Sequence, residues 1–154
     1  MFKLLFAMLG LFVTANSADL PARKYVNLAA IKTMVAAAEA EAKKLHVEVT
    51  ICIVDESGNL LFLQKADAAP LNTVAWAQRK ARHAAFYGSP SGEAADAVKN
   101  GNVAALAYPD YFPGQGGLPI KVDGQTIGGI AASGAKSEID EAIAQAALDA
   151  LFKK

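Results

Sequence analysis

The sequence predicts an α+β domain in which helices flank an antiparallel sheet. Three observations predict it. Two pairs of strand-like segments are joined by short turns, which makes hairpins rather than parallel crossover units. Helical patterns precede, separate and follow those hairpins. The one dense glycine cluster, Gly114-Gln115-Gly116-Gly117, comes before a strand and not a helix, so it is no dinucleotide fingerprint.

The elements follow in order. Residues 1–3 are a short basic start, 4–13 are almost wholly apolar, and 14–18 are small. That order reads as a secretory signal peptide over residues 1–18. Cleavage after Ala18 leaves a domain over 19–154 beginning at Asp19. The apolar run is shorter than the ~20 residues that cross a bilayer. No later run is long and uninterrupted enough to span one. The expected location is the periplasm or the exterior. After an extended lead, Asn27 caps a helix whose apolar face is Ile31, Met34, Val35, Ala38, Ala42 and Leu45. Residues 47–54 form a strand, 55–59 a turn, and 60–65 a second strand. Asn72 opens a helix that Gly88 ends, since glycine enters the left-handed conformation cheaply. Ser89-Pro90 starts a shorter helix reaching Lys99. Residues 103–107 are expected as a strand. Asp123-Gly124 joins strands 118–122 and 125–132 through a type I′ turn. Ser137 is expected to cap a last helix, with Asp140 in a capping-box position.

Composition excludes several function classes. Fifteen basic and fifteen acidic residues balance, and no basic stripe points to nucleic acid. Cys52 is the only cysteine, so no intramolecular disulfide forms. It sits in an apolar β-branched run, as a buried and inert thiol does. Two histidines and that cysteine do not make a zinc site. A protease histidine pair, a nucleophile elbow and a covalent-haem motif are all missing, so the residues do not identify an enzyme.

Three places carry candidate chemistry. On the helix from Asn72, Trp76, Lys80, His83 and Tyr87 project in nearly one direction, beside a small-residue stripe of Ala77, Ala81, Ala84 and Gly88. The stripe lets the helix approach the sheet, leaving the row half buried at its edge. Such a row offers one ligand aromatic walls, a cation and an imidazole; equally, it is an amphipathic edge where His83 merely packs. The second place is the aromatic and glycine-rich loop 108–119, whose glycines free the backbone for close approach. Backbone N–H groups near Ser133 and the following helix start form a further place for an anionic group.

Taken together, the motifs resemble the GlcG/HbpS-like family of small haem- and tetrapyrrole-associated domains. The carriers are Val54-Asp55-Glu56-Ser57-Gly58-Asn59-Leu60, Asp67, Lys80-Ala81, Gly116-Gly117-Leu118-Pro119, Gly128-Gly129-Ile130-Ala131-Ala132-Ser133-Gly134 and Asp140. The resemblance implies an antiparallel sheet of about five strands, homo-oligomeric assembly, and non-covalent haem binding in some exported members. His83 stands where the family often has threonine. The leading expectation is an exported haem or tetrapyrrole binder. His83 would supply the iron ligand, while Trp76, Tyr87, Tyr111 and Phe112 cover the macrocycle. Lys80, Lys65 or the Gly116 and Gly117 amides would hold a carboxylate. The alternatives are an enzyme or carrier for a small hydroxy- or oxo-acid, with Lys80 as base or anion clamp, and an oligomeric scaffold without ligand.

Overall fold

A computed structural model describes residues 21–153. The expected signal peptide and its cleavage point lie outside the described residues. Four helices and a four-stranded antiparallel sheet form three layers. The elements are α1 (Leu28–Lys44), β1 (Thr50–Asp55), β2 (Leu60–Lys65), α2 (Thr73–Tyr87), α3 (Ser91–Lys99), a 3-10 helix (Val103–Ala107), β3 (Gly117–Val122), β4 (Gln125–Ser133) and α4 (Ser137–Phe152). The strand order is β2-β1-β4-β3. No described helix is long and apolar enough to cross a membrane.

Local chemistry explains most boundaries. Asn27 caps α1, its side chain accepting the Ala30 N–H at 2.8 Å. Asp55 folds the β1–β2 turn by accepting the N–H groups of Ser57 and Asn59. Gly88 ends α2 at φ 61°. Asp123 and Gly124, both at positive φ, form the tight β3–β4 turn.

Four expectations are corrected. Residues 103–107 are a 3-10 helix, so the sheet has four strands and not about five. The segment Val-Ala-Ala-Leu-Ala has a single β-branched residue, and alanine fits a pleated surface poorly. Ser137 does not cap α4: Lys136 holds that position without a side-chain bond, and Asp140 serves elsewhere. Asn72 stands at the start of α2 in the helical conformation and makes no capping bond. At α3 the cap position is Pro90, one residue later than Ser89.

The two faces of the sheet are packed differently. Ile51, Ile53, Ile120 and Ile130 point toward α1 and α4, where they meet Met34, Ala38, Ile143 and Ala147. Each large apolar side chain fully buried there stabilises the fold by ~1.5–3 kcal/mol. Cys52, Val54 and Ala131 point toward Ala77, Ala81 and Ala85 of α2. Alanine buries little area, so this face depends on close approach instead. A Cβ added at Gly129 would lie 2.2 Å from the Ala81 carbonyl oxygen, and one at Gly117 2.3 Å from that of Lys80. The α2 backbone therefore rests directly on the sheet. Burial pushes the Cys52 thiol up to about 12, which keeps it inert beneath this helix.

Gly129→Ala tests the close approach. The added methyl must push α2 outward, at an overpacking cost of ~1–3 kcal/mol or more. In urea denaturation we expect a lower midpoint with an unchanged slope. An unchanged midpoint would show that α2 is free to shift.

Candidate functional site

The chain after α3 folds back over α2 and fixes its polar row. Asp110, at φ 57°, receives the Arg82 guanidinium through two bonds of 2.6 and 2.9 Å, and Arg82 also donates to the Gly58 carbonyl at 2.9 Å. The ion pair holds the Asp110 carboxyl below the usual carboxylate range, chiefly through the Arg82 hydrogen bond. Ser91, fully buried, donates to the Gly114 carbonyl at 2.6 Å and accepts the Gly117 N–H at 2.9 Å. The Gly117 amide expected for a ligand carboxylate is thus already bonded. Tyr111 and Phe112 land on the row: Tyr111 meets His83 edge-on at 5.1 Å, and Phe112 meets Trp76 at 5.9 Å.

Lys80 is buried. Its ammonium bonds the Asp140 carboxylate at 2.8 Å and the Ala132 carbonyl at 3.2 Å. The other Asp140 oxygen accepts the Ala135 N–H at 2.9 Å. Gly116, at φ 119°, leaves the space this needs, since a Cβ there would lie 3.0 Å from the Lys80 nitrogen. One ion pair therefore ties α2, β4 and α4 together. Asp140 was legible as a capping-box and family-motif residue at the start of α4, but its partner was not, because the two are far apart in sequence.

His83 is 1% exposed. Its Nδ1 accepts the Phe112 N–H at 3.1 Å, so the proton of the neutral ring sits on Nε2. Nε2 makes no hydrogen bond among the described residues. Tyr87 stacks on the ring at 4.7 Å. Burial lowers the imidazole pKa, while the neighbouring Asp110 backbone acts the other way.

The expected residues thus fall into two groups. Trp76, Lys80 and Ser133 line a cleft of about 230 Å³ together with Asn72, Gln115 and Ser137. His83, Tyr87 and Tyr111 form an aromatic cluster, which Phe112 joins through its N–H bond to His83. Lys65 joins neither. It lies on β2, two strands from Ser133, and its ammonium turns to the Ala66 carbonyl at 3.1 Å. A wider groove, about 450 Å³, lies elsewhere, between α1 and the β1–β2 edge, and His46 lines it.

Two variants test this arrangement. Lys80→Met leaves Asp140 as an uncompensated buried charge, and we expect a loss of ~3–5 kcal/mol. The double variant Lys80→Met/Asp140→Leu should recover most of it; a double variant as unstable as the single would refute the pairing. His83 gives a pH signature. Its folded pKa lies below the usual 6.5, so the unfolded chain takes up the proton first. The stability it contributes is complete above that value and is lost as pH falls through the lowered folded pKa. Between pH 7 and pH 5 the wild type should lose stability more steeply than His83→Gln, and parallel profiles would count against a buried neutral imidazole.

Comparison with known proteins agrees with this fold. A family described as "Haem degrading protein HbpS-like" matches residues 26–149. An uncharacterised 15.0 kDa protein of Citrobacter freundii is 34% identical over 131 residues, covering 80% of this chain and 90% of its own. Protein GlcG of Escherichia coli K12 is 34% identical over 100 residues, covering 65% of this chain and 75% of its own. A double mutant of Streptomyces reticuli HbpS superposes with a TM-score of 0.80 at 28% identity, over 92% of this chain and 97% of that one. The PduOC–haem complex does so with a TM-score of 0.76 at 28% identity, over 82% and 95%. With a match that spans nearly every described element, the chain belongs to the HbpS-like family.

Proposed function

We propose that this chain binds haem or a related tetrapyrrole without a covalent link, after export. One observation carries the reading: a relative with this fold, PduOC, forms a complex with haem. Family membership supports the same chemistry.

The residues present have to fit the group. An axial imidazole must offer a nitrogen lone pair to iron. His83 holds its lone pair against the Phe112 N–H and buries its other nitrogen. Ligation there requires the ring to exchange its proton and release Phe112. His46 meets the requirement as it stands. Its imidazole is exposed, makes no hydrogen bond among the described residues, and lines the groove of about 450 Å³. Ala42, Val47, Val49 and Ile51 give that groove apolar walls, and Lys43 stands three residues before His46. In this reading His46 holds the iron, the aliphatic wall covers a macrocycle face, and Lys43 pairs with a propionate. Haem, when bound, would supply iron redox and ligand-exchange chemistry; the chain's own part is to bind, orient and partly shield it.

Haemin titration tests this. The wild type should show a shifted, saturable Soret band. His46→Ala should lose the imidazole-ligated spectrum, and His83→Ala should keep it at lower thermal stability. The reverse pattern would return the iron to His83. No haemin uptake by the wild type would overturn the function.

A further inference from the structure

The cleft between the amino ends of α2 and α4 is separate from the His46 groove, and it is built from donors. α4 begins without a side-chain cap, and the N–H groups of Ser137 and Glu138 have no acceptor among the described residues. α2 also begins without a side-chain cap, leaving Val74 and Ala75 in the same condition. Asn72 and Ser137, at the two helix starts, both line the cleft. Helix starts alone do not make a site. The independent sign is Ser133: it is 3% exposed, lines the cleft, and its hydroxyl makes no hydrogen bond among the described residues. Its neighbours Thr50 and Thr73 satisfy one another at 2.7 Å, so Ser133 stands out as the unmatched hydroxyl of that polar cluster.

The ligand class follows from charge and size. Lys80 and Asp140 also line the cleft, but they neutralise each other. Within the cleft lining, what remains is the positive end of two helices, each equivalent to roughly half an elementary charge, while the first-turn Glu138 of α4 lies outside that lining. Together they match one negative charge, and the Asp140 carboxylate nearby disfavours a dianion. About 230 Å³ admits a molecule of a few heavy atoms and not a macrocycle. Trp76, half exposed at this cleft, gives an apolar wall for a short tail.

We propose that the cleft between the α2 and α4 amino ends binds a small free monocarboxylate, with the Ser133 hydroxyl and the Ser137 amide at the start of α4 as its donors. A carboxylate is well suited to such a site because it accepts from several N–H and O–H groups at once. The two oxygens take the Ser137 amide and the Ser133 hydroxyl, while the tail lies against Trp76. The site is independent of haem binding, so either proposal can fail alone.

The test is titration of the mature protein with lactate, pyruvate and acetate, followed by amide NMR and calorimetry. Saturable shifts at the Ser137 and Ser133 amides are expected. Ser133→Ala should weaken binding about tenfold, the loss of one charge-assisted hydrogen bond. Trp76→Ala should weaken lactate more than acetate, since only the longer acid has a tail to pack. Absence of saturable shifts, or wild-type affinity in Ser133→Ala, would overturn the site. Inorganic phosphate binding as tightly as lactate would overturn the monocarboxylate assignment. Competition between haemin and lactate would show that the carboxylate recognised is a haem propionate and would overturn the free-acid proposal.

Discussion

Direct contact between the α2 backbone and the sheet is the constraint on which the rest of the molecule depends. Gly117 and Gly129 provide the sheet side, and Ala77 and Ala81 the helix side. At that distance there is no room for large apolar side chains, so this face gains little from area burial. Its cohesion comes from directed polar contacts instead. Lys80 reaches Asp140, Arg82 reaches Asp110, Thr73 meets Thr50, and Ser91 gathers the glycine loop. The opposite face, with its isoleucines and Met34, is held by hydrophobic packing in the ordinary way.

This division of labour explains why the buried polar and charged side chains gather on the α2 side. A face built from polar contacts keeps helix starts, hydroxyls and charged groups close together without filling every space. It also explains why Lys80 and His83 differ from what their helical row implied. The row is continuous along α2, but the loop carrying Tyr111 and Phe112 closes over its middle. Trp76 and Tyr87 remain partly exposed at either end, while Lys80 and His83 are drawn into internal contacts.

How much of this was legible in the sequence depends on the range of the interaction. Asn27, Gly88 and Asp123-Gly124 act on their immediate neighbours, and each sets the boundary its chemistry implied. The strand expected over Val103–Ala107 is absent because its three alanines and one leucine favour helical over pleated backbone. The small-residue stripe of α2 was legible, and its meeting with Gly117 and Gly129 gave it its purpose. The Lys80–Asp140 pair and the Phe112–His83 bond were not, since each joins residues from distant segments. Helical spacing states which residues share a direction; it does not state what will cover them.

The strand order carries a consequence for how the chain reaches this state. β1–β2 and β3–β4 are both hairpins closed by tight turns, so each forms from contacts close in sequence. The central pairing of β1 with β4, from Thr50 opposite Ser133 to Asp55 opposite Gly128, joins the two halves across the whole of α2 and α3. Closing so long an intervening loop costs entropy before any contact repays it. Folding kinetics should therefore be governed by the meeting of two preformed hairpins. Substitutions within either turn would alter how fast its hairpin forms, while those along the β1–β4 seam would set the height of the main barrier.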